Sequence, residues 1–472
     1  MRNKIAPFTI GLPLLLVILF SSCRKRSFDN YLIFTQVPTL YNNQDSIESW
    51  INIRNAQIVA LNPAKAGSEP VILTGDFFSA RSPEISYDAQ YMLFTARKTE
   101  NDPWQIYEMD LKGFKVRQTI ISSDDCIDPS YLPGGRMVFG RLLKNDSLKS
   151  VQCLFTCNID GSDIRRITFN PYTYSSTSVL NDGRILTLSQ KVYPEYGDKI
   201  LMVLRPDGTK ADMFYKSEQE NTIVGKVHET STGKILFIES VDNNGLTGKL
   251  VSINYASPLH SRTDLSSLNK GDFRSVFPLS SGTLLVSWRK SESENYGLFD
   301  FDMGDMRVGK AIYSLTDHDI IEVVKVTSHE RPRKLPSEVD MGVKTGLLLC
   351  QDINFHDVAG SGNPSYPQAT SIQVMGIDTS MGVVKVMKDG SFYLKVVADT
   401  PFRILTLDDR GNVVHSSCDW IYLRPNERRG CVGCHEDHEQ VPDNRQPLAV
   451  LRNPFLIPVH LDEITEKEID LE

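Results

Sequence analysis

A chain of 472 residues with 40% hydrophobic, 9% aromatic and 23% charged side chains is long enough for large cores and too apolar to be disordered or fibrous. Its 51 Lys and Arg against 59 Asp and Glu leave a net charge of -8, with no basic block in the body of the protein, so no nucleic-acid partner is expected.

Arg2 and Lys4 precede an apolar run from Ile5 to Phe20 that Pro7, Gly11 and Pro13 interrupt. The run is short beside the roughly 20 residues a spanning helix needs, and it reads as a secretory signal peptide over 1–22. It ends Leu19-Phe20-Ser21-Ser22-Cys23, which resembles a bacterial lipoprotein box. Small residues admit the peptidase before Cys23, and a diacylglycerol on the Cys23 thiol would tether the chain, through residues 23–30, to a membrane surface without spanning it. The expected location is the bacterial cell envelope, on the periplasmic or outer-membrane face. The alternative is an ordinary signal peptide with an incidental cysteine.

Residues 31–359 show many short apolar runs rich in β-branched and aromatic residues, bounded by Gly, Asp, Asn or Pro, which predicts an all-β fold. One turn-and-strand unit recurs, with turns ending at 90, 135, 183, 233, 282 and 346, at intervals of 45, 48, 50, 49 and 64 residues. Such a period predicts a six-bladed β-propeller, since a four-stranded blade needs about 40 to 50 residues. The turns resemble those of TolB-like and WD40-like propellers, without a recurring Trp-Asp pair. The early run Tyr31 to Thr35 is expected to join the last blade and close the ring, and the Pro-limited stretch Glu330 to Pro336 to cross one of its faces. Cys153 and Cys157, four apart in one strand-like run, read with Cys126, Cys350 and Cys418 as thiols outside any disulfide scaffold. No Gly-x-Ser-x-Gly elbow occurs, which removes the propeller-capped serine hydrolases.

Residues 360–370 read as a linker, and 371–459 as a small β-sandwich-like domain of alternating strands with Asp-Gly turns. Within it lies Cys431-Val-Gly-Cys434-His435, the attachment pattern of a c-type haem. The two thiols add across the haem vinyl groups, and His435 brings an imidazole to the iron. Haem c is attached outside the cytoplasmic membrane, where the leader would deliver the chain. Two other readings stay open: a zinc site of Cys431, Cys434, His435 and His438, despite their crowded spacing, and a thioredoxin-like redox pair. Residues 460–472 form an acidic tail.

Beyond the motif, the Pro-rich stretch Arg331 to Pro336, Thr345 to Cys350, Asp389 to Tyr393, Ala398 to Pro401, Trp420 to Tyr422 and Arg429 to Glu436 together resemble the hydrazine synthase alpha subunit middle-domain family. The resemblance implies a preceding six-bladed propeller and a middle-domain haem on Cys431 and Cys434. It also implies an axial tyrosine four residues after the motif histidine, which here is Glu439, and a motif histidine, His435, turned toward zinc. His435 or His438 is therefore expected as the axial ligand, with His356, His415, His460 or a methionine as the fallback. If zinc is present, Cys350 or Cys126 from the propeller is a candidate thiolate. No second Cys-x-x-Cys-His occurs, so a multi-haem chain would draw on another redox protein. The reading is a membrane-tethered haem lipoprotein in redox chemistry or electron transfer, with a hydrazine-synthase-like catalytic subunit or a zinc-binding docking protein as alternatives.

Overall fold

The computed structural model describes residues 28–39, 53–65, 67–145, 149–217, 221–241, 245–355, 367–416, 419–433 and 444–459. Its strands form eight four-stranded sheets, six of which are propeller blades. The first blade combines β1 (Leu32–Pro38), β2 (Gln57–Leu61) and β3 (Val71–Ile72) with the late strand β24 (His318–Lys325). The second contains β4 (Ser79–Ile85), β5 (Tyr91–Arg97), β6 (Gln105–Asp110) and β7 (Val116–Gln118). The third contains β8 (Cys126–Leu132), β9 (Arg136–Asn145), β10 (Lys149–Asn158) and β11 (Arg165–Arg166). The fourth contains β12 (Tyr172–Val179), β13 (Ile185–Lys191), β14 (Lys199–Leu204) and β15 (Asp212–Lys216). The fifth contains β16 (Thr222–Glu229), β17 (Lys234–Ser240), β18 (Lys249–Asn254) and β19 (Thr263–Asp264). The sixth contains β20 (Asp272–Pro278), β21 (Thr283–Arg289), β22 (Gly297–Asp302) and β23 (Arg307–Tyr313).

The strands β24, β4, β8, β12, β16 and β20 touch one another in that cyclic order and wall a central channel. The second and third strands of each blade are covered on both faces by neighbouring blades, so they read as continuous apolar runs and not as alternation. Cys126, Cys153 and Cys157 lie in one of these interblade cores with Met137 and Phe139, and burial pushes the Cys126 and Cys157 thiols up to about 12. Ring closure is direct: Leu32 pairs with Lys325 and Phe34 with Val323.

One unit of the repeat belongs elsewhere. The run from Thr345 to Cys350, whose turn spacing assigned it to a sixth blade, is β25 (Thr345–Cys350) of the second domain. The ring's last strand ends at Lys325, and the second domain begins at β25 and not after a linker at 360–370. Gly346 explains the confusion. It sits where a turn glycine is expected, but it serves packing: a Cβ there would come within 2.6 Å of Leu423. The count of six survives because β1–β3 and β24 supply the missing blade.

The second domain is a sandwich. One sheet runs β31 (Arg428–Cys431), β25, β28 (Phe392–Val397), β32 (Phe455–Ile457), and the other β27 (Ser380–Lys385), β26 (Ser371–Met375), β29 (Arg403–Leu407), β30 (Val413–Ser416). Their facing side chains, among them Leu348, Cys350, Ile372, Val374, Leu394 and Val396, form one core.

Between the domains, residues 327–344 cross the ring face that carries the turns between first and second strands. His329 N–H donates to the Tyr87 carbonyl (3.1 Å), Arg331 stacks over the Tyr87 ring, and Arg333 N–H donates to the Asn181 carbonyl (3.2 Å). The sandwich itself packs on the outer wall where the third and fourth blades meet. There the Tyr422 hydroxyl lies 3.0 Å from the carbonyls of both Ile167 and Gly208, and the Trp420 indole N–H donates to the Tyr193 carbonyl (2.9 Å).

Candidate haem-attachment site

β31 is a short edge strand that runs parallel to β25, with Cys431 opposite Cys350. Beyond the strand, Gln351 N–H donates to the Cys431 carbonyl (2.9 Å) and Asp352 N–H to the Val432 carbonyl (3.1 Å). The backbone that enters the motif is thus fixed by β25. The Cys431 side chain is half-buried and packs against the sandwich core.

The approach to β31 is set by Glu427, which is fully buried. Its carboxylate accepts Arg424 N–H (2.8 Å), Lys210 N–H from the ring (2.8 Å) and the Arg429 guanidinium at 2.7 and 3.1 Å. Burial works against the Arg429 charge, but Glu427 beside it more than compensates and raises its pKa. A buried carboxylate with this many donors satisfies the cost of its desolvation.

Downstream of the motif, Arg445 is anchored by acidic partners of the sandwich. Its guanidinium reaches the Asp389 carboxylate at 2.7 Å, the Asp389 carbonyl at 2.8 Å and Asp352 at 3.3 Å. Burial pushes the Asp389 carboxyl up, yet hydrogen bonds from Ser391 and the Leu448 N–H, with Arg445 close by, hold it below the usual carboxylate range. Asp352 therefore touches both flanks of residues 434–443, through its own N–H on one side and its carboxylate on the other.

Of the predicted site residues, Cys431 is placed as just described. Cys434, His435, His438 and Glu439 lie outside the described residues, as do Cys23, Cys418, His356 and His460, and the His415 side chain is likewise not described. Cys350 is not a propeller thiol: it is buried on β25 beside Cys431. Cys126 is on the inner strand β8, in the core between the second and third blades, which separates it from this domain. Among the described residues, no group of three or more His, Cys, Asp or Glu is placed to hold a metal ion. Of the residues that would hold a covalently attached porphyrin, the described one, Cys431, is placed compatibly with that role. The Cys431 thiol stands half-buried at the edge of an apolar core. Sequence reasoning missed Glu427, Asp352 and Arg445, because each acts through partners far away in the chain.

Residues 339–436 match the family described as the hydrazine synthase alpha subunit middle domain, a match that ends one residue past His435. This chain resembles the hydrazine synthase alpha subunit. The curated hydrazine synthase subunit alpha of Kuenenia stuttgartiensis is 21% identical over 500 residues, 77% of this chain and 61% of that protein. The chain thus spans about 61% of the length of that relative. The solved Kuenenia stuttgartiensis hydrazine synthase superimposes with a TM-score of 0.77 at 19% identity, covering 90% of this chain and 71% of that one, which establishes the shared fold. TolB from Acinetobacter baumannii aligns over 63% of this chain and 67% of its own, with a TM-score of 0.44 and 12% identity. Likeness to the hydrazine synthase alpha subunit extends across ring and sandwich.

Proposed function

We propose that the protein is a lipid-anchored, extracytoplasmic c-type haem subunit that works in redox chemistry, transferring electrons to or from a protein partner. Cys431 and Cys434 would hold the haem as thioethers, and His435 or His438 would supply the axial imidazole. Bound haem iron supplies one-electron transfer, and an open axial position would add ligand binding. The observation that carries the reading is the motif's position: its first thiol ends an edge strand whose backbone β25 holds rigid. The chain's own residues orient that thiol, through Glu427 before it and Asp352 after it, and seal one side with the sandwich core.

The test is haem staining after denaturing electrophoresis and acid-acetone extraction, on protein exported from cells with a haem-attachment system. The wild type should keep its haem and the variant C431A/C434A should lose it. A wild type without haem but with stoichiometric zinc would replace this reading with the zinc-binding docking protein. The anchor is tested separately: the native N-terminal peptide should carry a diacylglyceryl addition on Cys23, and an uncleaved, unmodified peptide would remove it.

The shared fold favours a second reading, a catalytic haem of the hydrazine synthase kind. Glu439 at the tyrosine position argues for a different axial environment. A high-spin spectrum that responds to carbon monoxide or cyanide would favour catalysis, and a six-coordinate low-spin spectrum electron transfer.

A further inference from the structure

The channel of the ring holds a cluster unrelated to the haem motif. Midway along, each inner strand slips in register against its neighbour: between Arg81 and Glu84 in β4, Ile127 and Ser130 in β8, Ser175 and Ser178 in β12, Val224 and His228 in β16, and Phe273 and Ser275 in β20. Such irregularities re-aim side chains. They turn Arg81, Asp128, Lys226 and Arg274 toward a cavity of about 190 Å³, which Glu322 of β24 also lines.

The carboxylates here are already engaged. Glu322 accepts Arg81 Nη2 (3.1 Å), Ser82 N–H (2.7 Å) and the Thr35 hydroxyl (2.8 Å). Asp128 accepts the Ser82 hydroxyl and Ser176 N–H, both at 2.9 Å, with Arg81 at 3.6 Å. Glu84 takes Lys226 at 2.6 Å. Three bases lining the same cavity have no such partner among the described residues: Arg274, Lys199 and His228. Burial lowers the Arg274 pKa to about 10 and holds His228 down near 3, so at neutral pH the first is a cation and the second a neutral imidazole with one N–H to donate. The Ser275 hydroxyl beside Arg274 is also unpaired. Arg81, Lys226, Lys199 and Arg274 lie near Glu322, Asp128, Glu84 and Asp319, but of these four bases only Arg81 and Lys226 are in direct contact with a carboxylate among the described residues. Arg274 feels Glu322 and Asp319 only at a distance, and its planar fork, matched to oxygen acceptors, has no acceptor bound directly to it among the described residues.

We propose that this cavity is a binding site for a small oxyanion, with Arg274 as its counter-charge and Lys199, His228 and Ser275 as further donors. The ligand is a compact anion with oxygen acceptors, either an inorganic oxyanion or the carboxylate of a small organic acid. The site lies in the channel, apart from the sandwich on the outer wall, so its occupancy does not depend on the haem.

Isothermal titration of the exported chain with sodium phosphate and, separately, sodium acetate in a low-chloride buffer tests the proposal. The wild type should bind one equivalent of at least one probe, and which one separates the inorganic from the organic source. R274Q should weaken that binding at least tenfold, R274K and K199Q should weaken it less, and K395Q, on the second domain, should leave it unchanged. In anion-free buffer R274Q should melt close to the wild type, because Arg274 makes no direct ion pair that the fold relies on. Binding of neither probe by the wild type, or equal binding by R274Q, would overturn the proposal. Should R274Q not fold, undiminished binding by both R274K and K199Q would do the same.

Discussion

Glu427 shows how much one side chain can hold in place. It is buried, yet it ties the turn at Arg424, the ring at Lys210 and the strand at Arg429 to a single carboxylate. E427A leaves the buried Arg429 charge unpaired and should cost about 3–5 kcal/mol, read as a lower melting temperature. E427Q, which keeps the shape, should cost less, and both should reduce the haem content per chain. Asp389 gives the pH counterpart. Its carboxyl sits below the usual range in the fold, so the stability it adds is complete above the unfolded carboxylate pKa of about 3.9 and is lost as pH falls through the folded value. Acid should therefore release Arg445 and the 444–451 stretch, seen as lower amide protection there, relative to the intrinsic exchange rate at each pH, below about pH 4 than at pH 7. Cysteines separate by burial: alkylation of the native protein at pH 8 should spare Cys126 and Cys157, whose thiols stay protonated. At this scale the sequence showed the contiguous motif at Cys431 and hid its supports, since Asp352 and Arg445 meet across 93 residues.

Blades and connections were legible where chemistry repeats locally. Gly135, Gly183 and Gly233 all take positive φ in equivalent turns, a requirement that a sequence displays openly. Gly346 copied the signal for a different reason, and only pairing partners could reassign its strand. Gly183 carries a second duty, because its φ is +91° and a Cβ there would collide with the Arg333 carbonyl of the crossing stretch. G183A should cost about 1–3 kcal/mol and make residues 327–344 more open to limited proteolysis. The channel charges left no trace in the sequence pattern, because they belong to strand irregularities that composition does not mark.

For the whole molecule, the seam between ring and sandwich rests on Trp420 and Tyr422, both buried and both hydrogen-bonded to ring carbonyls. Y422F should cost about 1–2 kcal/mol by leaving the Ile167 and Gly208 carbonyls short of a donor. W420A should cost about 3–5 kcal/mol and split one calorimetric transition into two as the domains come apart. The first blade sets the order of events during synthesis. A ribosome makes β1, β2 and β3 first, and their fourth strand, β24, among the last parts of the ring. Until then β1 has an open edge, the kind of surface that invites pairing with foreign strands, and the long-range pairing that ends this exposure is slow to form. A chain released before Lys325 can never cover that edge, however well its other blades fold. Ring closure thus works as a check on length: a truncated product keeps a sticky strand that proteases and chaperones can recognise, and a chain that reaches Lys325 hides it.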